Sequence, residues 1–344
     1  MKKIMIVIAS AAALGLGFWF LSGPKDQSGL ANVRISQVGT EKHLMYLPLY
    51  VAMEEGIFEK NGLRVRLSFA GNDNQVVAAV IGGSADFGMG DPVFSAIAQE
   101  RGGRVKTVAL MITKLIIFGF TNNNNIGEIA SPVDLDGLRI GSWPAPSTMY
   151  TQLAQIRKDY GLNLEIVEGA FNAQLALLEA RRVDIALGLE PSVSLLEEKG
   201  YRAVLNLANF TDPQAITGLT TTERLIERNP ELVQKVVNSM QQAHTLLLRD
   251  REAGIRTAKK LFPDLSHEII NNAIDRILQN EAYPVSVEVK GTYWQRSLQS
   301  RLDSGELKNP QPTEVAVDNS FAEQAFKKYV DNSFAERAFE QYGR

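Results

Sequence analysis

The chain has 344 residues, of which 45% are hydrophobic and 22% are charged, and this length allows two lobes of roughly 100–200 residues each. Its formal net charge of -3 gives no electrostatic reason to expect a nucleic acid as a partner. The chain has no cysteine, which excludes disulfides, zinc–cysteine sites, iron–sulfur clusters, thiol nucleophiles and a lipid anchor on cysteine.

The N-terminus has the pattern of an export signal. Lys2 and Lys3 precede an uncharged, mostly apolar run over residues 4–24, so residues 1–23 are predicted to direct export. The run matches the ~20 residues needed to span a bilayer, and bulky residues 18–21 replace a small-residue cleavage site. The segment is therefore consistent both with a cleaved signal and with an uncleaved anchor in the inner membrane. Either one places the body in the periplasm or outside the cytoplasm, after a polar linker at residues 24–32.

Strands and helices are predicted to alternate twice along the body. The first series fills residues 33–120, a polar break follows at residues 121–125, and the second series continues to residue 213. A strand at residues 214–219 is predicted to return to the first lobe, followed by helices. This α/β pattern predicts mostly parallel sheets with helices on both faces. The predicted organisation is lobe 1 at 33–120 plus 214–307, lobe 2 at 121–213, and a tail at 308–344.

The tail contains an internal repeat. Residues 317–329 recur as residues 330–342, and each copy is predicted to begin a helix with a capping box, Ser320 with Glu323 and Ser333 with Glu336. Two copies are too few for a solenoid. The repeat is interpreted as a duplicated terminal helix, peripheral to function.

Three motifs carry a family resemblance when they are taken together. They are YLPLYVAMEEGIFEKNGL at residues 46–63, GGSADFGMG at residues 82–90 and SPVDLDGLRIG at residues 131–141. In this order and spacing they resemble the solute-binding proteins of ABC importers for nitrate, sulfonates, taurine and thiamine-pyrimidine precursors.

The resemblance implies a periplasmic-binding-protein type II fold, in which two α/β lobes are joined by two crossovers and bind a solute in the cleft. It also implies a monomer without cofactor or metal that delivers its solute to an ABC permease and its ATPase.

Candidate ligand-binding residues lie at predicted strand ends and helix starts, where ligands of α/β sheets bind and helix N–H groups are unpaired. Tyr46 stands where the family often places an aromatic residue against the ligand. The complete set is Tyr46, Met89, Gly90, Asp91, Ser142, Trp143, Ser147, Thr148, Phe171, Asn172 and Glu190.

The segment Ser142 to Thr148 offers more than a structural turn needs. One hydroxyl is enough to cap the following helix, yet Ser142, Ser147 and Thr148 supply three. Trp143 between a serine and a proline is predicted to stack on a flat ligand or to close the cleft, rather than to fill the core.

Two acidic candidates have both a structural and a ligand-binding interpretation. Asp91 fits a helix cap. Glu190 is either a residue at a helix N-terminus, where the helix dipole favours a negative charge, or a carboxylate that faces the cleft. In the cleft, Glu190 would favour an aminopyrimidine-like or other nitrogenous ligand over nitrate or a sulfonate.

Three other functions compete with solute binding. A pyrimidine-precursor synthase of similar fold needs a cysteine-rich iron-binding motif, which this chain lacks, and no phosphate-binding or hydrolase motif occurs. A transcription regulator needs an N-terminal DNA-binding domain in place of the export segment. A membrane-anchored sensor domain remains an alternative, because the sequence does not distinguish it from a transport receptor. The sequence therefore predicts a non-catalytic binding protein.

Overall fold

The computed structural model describes residues 29–331 and 333–336, which form two five-stranded sheets flanked by helices. This architecture confirms the predicted α/β class. The predicted export segment and part of the second repeat copy lie outside the described residues. Within the described residues, no helix combines the length and the apolar character needed to cross a bilayer.

The first sheet has the strand order β2-β1-β3-β10-β4. Strand β1 is parallel to β2 and β3, whereas β10 is antiparallel to β3 and β4. The elements of this lobe up to β4 are β1 (Ala31–Gln37), α1 (Leu47–Glu54), α2 (Ile57–Lys60), β2 (Leu63–Phe69), α3 (Asp73–Ile81), β3 (Phe87–Gly90), α4 (Val93–Glu100) and β4 (Val105–Ile112). Strand β10 (Thr217–Thr222) joins them after the second lobe.

The second sheet repeats this arrangement with the order β7-β6-β8-β5-β9. Strand β6 is parallel to β7 and β8, and β5 is antiparallel to β8 and β9. Its elements are β5 (Phe118–Thr121), β6 (Arg139–Ser142), α5 (Thr148–Tyr160), β7 (Glu165–Glu168), α6 (Gln174–Glu179), β8 (Ile185–Gly188), α7 (Ser192–Glu198) and β9 (Arg202–Asn206).

Strand β5 corrects the predicted position of the first crossover. Residues up to 120 are predicted from sequence to belong to the first lobe, but β5 pairs with β8 and β9 of the second sheet. The chain therefore crosses between Ile112 and Phe118, before the polar break at residues 121–125. Residues 115–120 are buried throughout, so their hydrophobicity fits either sheet and does not reveal which one they join.

The C-terminal helices pack on the first lobe and against the second. They are α8 (Glu223–Arg228), α9 (Pro230–Arg249), α10 (Arg251–Leu261), α11 (His267–Leu278), α12 (Gly291–Asp303), α13 (Thr313–Ala316) and α14 (Ser320–Tyr329). Helix α14, which the first repeat copy forms, packs on α9 and buries Phe321, Ala322 and Ala325 in the main hydrophobic core.

The predicted capping boxes are wrong in both copies. Ser320 Oγ donates to Asp318 Oδ1 at 2.6 Å, and Ser333 Oγ donates to Asp331 Oδ1 at 2.7 Å. In each copy the aspartate two residues earlier also accepts a backbone N–H, from Ser320 in the first copy and from Phe334 in the second, so the carboxylate replaces the serine as the acceptor at the helix start.

Candidate functional site

A cavity of about 380 Å³ lies between the two lobes, within the range of roughly 300–1,000 Å³ that is usual for small-molecule sites. From the first lobe it is lined by residues that follow the parallel strands, together with part of α4 and the segment before α1: Val38, Thr40, Met45, Tyr46, Gly71, Asn72, Asp73, Asn74, Asp91 and Phe94. From the second lobe and the crossovers it is lined by residues 143–149 and by Phe171, Leu189, Leu115, Ile117, Ile216 and Thr217.

Six of the predicted ligand-binding residues lie in this wall: Tyr46, Asp91, Trp143, Ser147, Thr148 and Phe171. They come together because the carboxyl ends of the parallel strands in both sheets face the same cleft.

Two aromatic rings of the second lobe form one side of the cavity. The rings of Trp143 and Phe171 are stacked, with centroids 4.7 Å apart and planes 13° from parallel, and Trp143 Nε1 donates to the Phe171 carbonyl at 3.0 Å. The ring of His43, from the first lobe, contacts Phe171 at 4.9 Å. Trp143 is only 8% exposed, so it is more deeply buried than the sequence analysis expected.

Ser147 and Thr148 begin helix α5 at the cavity. Ser147 Oγ caps the helix by accepting from Tyr150 N at 3.3 Å, and it donates to the Trp143 carbonyl at 3.1 Å. Thr148 Oγ1 donates to Asp91 Oδ2 at 2.7 Å, which is a direct bond between the two lobes. The other oxygen of Asp91 caps α4 by accepting from Val93 N at 2.9 Å, so Asp91 has both a structural and a cleft role.

The buried guanidinium of Arg301, on α12, lies behind this part of the wall. It donates to Asp91 Oδ2 at 2.7 Å and to Glu306 Oε2 at 2.6 Å. It also donates to Thr148 Oγ1, Thr151 Oγ1 and the Pro146 carbonyl, all in the second lobe. Two carboxylates therefore balance its charge.

Asp73, at the first position of α3, brings a second carboxylate to the cavity wall. Its Oδ1 accepts from Asp91 N at 2.7 Å. Gly90 makes this approach possible, because a Cβ at Gly90 would lie 2.6 Å from the same oxygen. Burial, and next the negative charge of Asp91, raise the pKa of Asp73 to about 7. Burial also raises the pKa of Tyr46, with smaller contributions from the same two carboxylates.

The cavity wall carries carboxylates but no basic side chain among the described residues that line it. Backbone N–H groups supply the positive potential instead. Those of Asn74, Thr148 and Met149 lie in the first turns of α3 and α5, where a helix offers them no acceptor. The wall can therefore accept hydrogen bonds at Asp73, donate them from the helix starts, and stack a flat ring.

Five of the predicted residues lie outside the wall: Met89, Gly90, Ser142, Asn172 and Glu190. Met89 is buried in the core, and Gly90 pairs with Gly218 in the first sheet. Ser142 is fully buried, with its Oγ donating to the Trp143 carbonyl, and Asn172 is exposed on a turn outside the cavity.

The interpretation of Glu190 as a cleft carboxylate is wrong. Its side chain is fully buried outside the cavity, where it accepts from Ser194 N and Ser194 Oγ and pairs with Arg276 of α11. Arg276 also pairs with Glu197, so this cluster ties the second lobe to the C-terminal helices. Glu190 therefore gives no reason to favour a nitrogenous ligand over an anion.

Asp73 and Arg301 are two residues of the site that are absent from the candidates predicted from sequence. Asp73 follows a strand and begins a helix, which is the same signal that identified the other candidates, so it could have been found. Arg301 lies in a late helix with no motif, and only the packing of α12 against α4 and α5 brings it to the cavity. Within the described residues, no group of three or more acidic or histidine side chains could hold a metal ion.

Comparisons with known proteins support the same fold. The family model described as NMT1/THI5 like matches residues 44–253. YtlA of Bacillus subtilis, a proposed binding protein, is 22% identical over 316 residues, covering 88% of this chain and 92% of its own. The riboflavin-binding protein RibY of Chloroflexus aurantiacus is 24% identical over 296 residues, covering 81% of this chain and 83% of its own.

Solved structures include both binding proteins and an enzyme. The ligand-binding component of an ABC-type import system from Staphylococcus aureus, with zinc bound, has a TM-score of 0.69 at 16% identity and covers 86% of this chain and 98% of its own. The alkanesulfonate-binding protein SsuA from Xanthomonas axonopodis has a TM-score of 0.65 at 17% identity, and the match covers 84% of this chain and 98% of SsuA. The desulfurization enzyme DSZB has a TM-score of 0.61 at 14% identity, and the match covers 87% of this chain and 99% of DSZB. These identities show a shared fold and no more.

The Glu190–Arg276 pair yields a stability prediction. Arg276→Ala leaves a buried carboxylate without its cation, so we expect the free energy of unfolding in urea to fall by about 3–5 kcal/mol. Arg256→Ala is the control, because Arg256 forms exposed pairs with Glu55 and Asp250, and we expect a loss of at most about 1 kcal/mol. Adding Glu190→Gln to Arg276→Ala should restore part of the stability. No recovery in the double variant would contradict an interaction between the two charges.

The raised pKa of Asp73 yields a pH prediction for the ligand-free protein. The native state holds this proton up to a higher pH than the unfolded chain does, so the stabilisation is present below about pH 4 and is lost as the pH rises through about 7. The melting temperature of the wild type minus that of Asp73→Asn should therefore fall steadily from pH 4.5 to pH 7.5. Asp159→Asn, at an exposed position of α5, should track the wild type. A constant wild-type-minus-Asp73→Asn difference would mean that Asp73 titrates normally.

Proposed function

Since the chain belongs to the NMT1/THI5-like family, we propose that it is the extracytoplasmic solute-binding component of an ABC importer. The observation that carries the proposal is the cavity between two similar lobes, with walls from both. Such a cavity encloses a small solute when the lobes approach each other and releases it when they separate. A permease and its ATPase would be the partners, and the binding protein would act as a monomer.

The relatives support this role by their own named activities. One structural neighbour is the ligand-binding component of an ABC-type import system, another binds alkanesulfonates, and a sequence relative binds riboflavin. The predicted export segment at residues 1–23, whether cleaved or kept as an anchor, would place the body in the periplasm.

The charge distribution in the wall favours a flat nitrogenous ligand over an anion. The stacked pair of Trp143 and Phe171 offers an aromatic surface, and Asp73 offers a carboxylate that accepts from ring or amino N–H groups. Nitrate or an alkylsulfonate would place its negative charge near Asp73 and Asp91, with only helix N–H groups to stabilise it. Taurine is a zwitterion, but it has no ring for the aromatic surface. We therefore propose a pyrimidine-like or related heteroaromatic solute, now on the basis of Asp73 instead of Glu190.

An enzyme on the same fold is the second candidate, and a specific observation favours it. A carboxylate with a pKa near 7 in a cleft has the property of a general base. Binding alone is the better interpretation, since the described lining residues include no histidine, lysine or cysteine to serve as a partner acid or nucleophile. Recovery of the bound compound unchanged, checked by mass spectrometry, would separate the two.

The ligand class can be tested by thermal shift. Hydroxymethylpyrimidine, formylaminopyrimidine, thiamine, riboflavin, taurine, an alkylsulfonate and nitrate would each be added to the protein from residue 29 onward. A ligand at 100 times its dissociation constant should stabilise the protein by about 2.7 kcal/mol. We expect a shift with a nitrogenous ring compound and none with taurine, the alkylsulfonate or nitrate. Asp73→Asn should weaken binding about 10- to 100-fold through the loss of a charged hydrogen bond, whereas Asp159→Asn should have no effect. A shift with a sulfonate alone would contradict the proposed ligand class.

Trp143 provides a second, independent test of the site. Trp143→Ala removes the stacking surface, so we expect the affinity for the compound found by thermal shift to fall about 2- to 10-fold in calorimetry. Trp143→Phe keeps a ring and should lose less. Glu190→Gln should leave the affinity unchanged, because Glu190 lies outside the cavity. Equal affinity in Trp143→Ala and the wild type would remove Trp143 from the site.

A further inference from the structure

The first repeat copy occupies a groove on the first lobe, which we call the repeat groove. Thr107 of β4, Gln234 of α9 and Val289 form its polar edges. The Thr107 carbonyl accepts from Asp318 N at 2.9 Å, and Gln234 Nε2 donates to the Phe321 carbonyl at 2.9 Å.

Asn319 anchors the copy to the segment before α12. Its side-chain Oδ1 accepts from Val289 N at 2.8 Å, and its Nδ2 donates to the Val289 carbonyl at 3.0 Å. The apolar side chains of Val317, Phe321, Ala322 and Ala325 are buried beneath. The groove therefore recognises the pattern Val-x-Asn-x-Phe-Ala-x-x-Ala.

The second copy has all of these residues at the matching positions. Residues 330–342 are identical to residues 317–329 at 10 of 13 positions. The differences are Gln324 against Arg337, Lys327 against Glu340, and Lys328 against Gln341, and the first copy exposes its side chain at all three. Every side chain that the groove buries is therefore the same in both copies.

The two copies also begin their helices in the same way. Asp318 accepts from Ser320 Oγ, and Asp331 accepts from Ser333 Oγ, and residues 333–336 form a helical turn. The described part of the second copy contacts the body near Arg249. Arg249 pairs with Asp331 and lies 4.2 Å above the ring of Phe334, beside a small cluster that contains Val285 and Val330.

We propose that the repeat groove also accepts residues 330–342 in the pose of the first copy, so that the tail docks in either of two registers. The register determines the charge of the exposed helix face, because the first copy presents two lysines there and the second copy an arginine and a glutamate. It also determines which copy is left outside the groove and available for other contacts.

Deletion variants of the chain from residue 29 onward test this directly. Removing residues 317–329 joins Ala316 to Val330 and presents the second copy to the groove, whereas removing 330–344 leaves the first copy in place. We expect the melting temperatures of these two variants to agree within about 2 °C, and removal of both copies (317–344) to lower it by more than about 5 °C. If the variant lacking 317–329 melts like the variant lacking both copies, the proposal is wrong.

Phenylalanine variants provide the matched control. Phe334→Ala should lower the melting temperature of the variant lacking 317–329 as much as Phe321→Ala lowers that of the variant lacking 330–344. In the undeleted chain Phe334→Ala should have a smaller effect, because Phe334 then lies outside the groove. Equal effects of Phe334→Ala in both backgrounds would overturn the proposal. Light scattering completes the test, since a dimer of the variant lacking 317–329 would mean that the second copy docks only on another molecule.

Discussion

The guanidinium of Arg301 is almost fully buried and makes hydrogen bonds to groups from both lobes. A buried charge is tolerated only when it is paired and its donors are satisfied, and Arg301 meets this condition through Asp91, Glu306 and three oxygen acceptors of the second lobe. Asp91 is therefore held between the guanidinium and the hydroxyl of Thr148 at the point where the lobes meet. The shape of the cavity wall at Asp91 and Thr148 depends on this arrangement.

The same arrangement determines the electrostatics of the cavity. Asp91 is committed to Arg301, Thr148 and the start of α4, so its charge acts on the neighbouring Asp73 without being available as an acceptor itself. Asp73 lies beside it, and burial, followed by the negative charge of Asp91, raises the pKa of Asp73 towards neutrality. The positive charge of Arg301 is neutralised behind the wall by the carboxylates of Asp91 and Glu306. A solute in the cavity therefore meets a carboxylate, helix N–H groups and aromatic rings instead of a free cation.

The two sheets share one strand order, and this symmetry explains where the cavity lies. In each sheet the fourth strand is antiparallel and belongs to a crossover, β5 entering the second lobe and β10 re-entering the first. Residues Leu115, Ile117, Ile216 and Thr217 of the crossovers consequently lie in the cavity wall. A hinge motion of the lobes would act on the site directly, since the connecting segments are part of it.

Much of the fold and part of the site followed from the sequence. The alternation of strands and helices predicted the α/β class, three motifs predicted the family, and the rule that ligands bind at strand ends identified six of the residues in the cavity wall. These features are local, because a strand end, a helix cap or a turn is encoded by neighbouring residues. The tertiary structure decided the rest. Asp73 begins α3 and Glu190 lies two residues before α7, and only packing turns Glu190 towards Arg276 and Asp73 towards the cavity. Residues 118–121 join the second lobe, and Arg301 reaches the cavity wall, through contacts between segments that are far apart in the chain. Hydrophobic pattern and residue type do not specify such contacts.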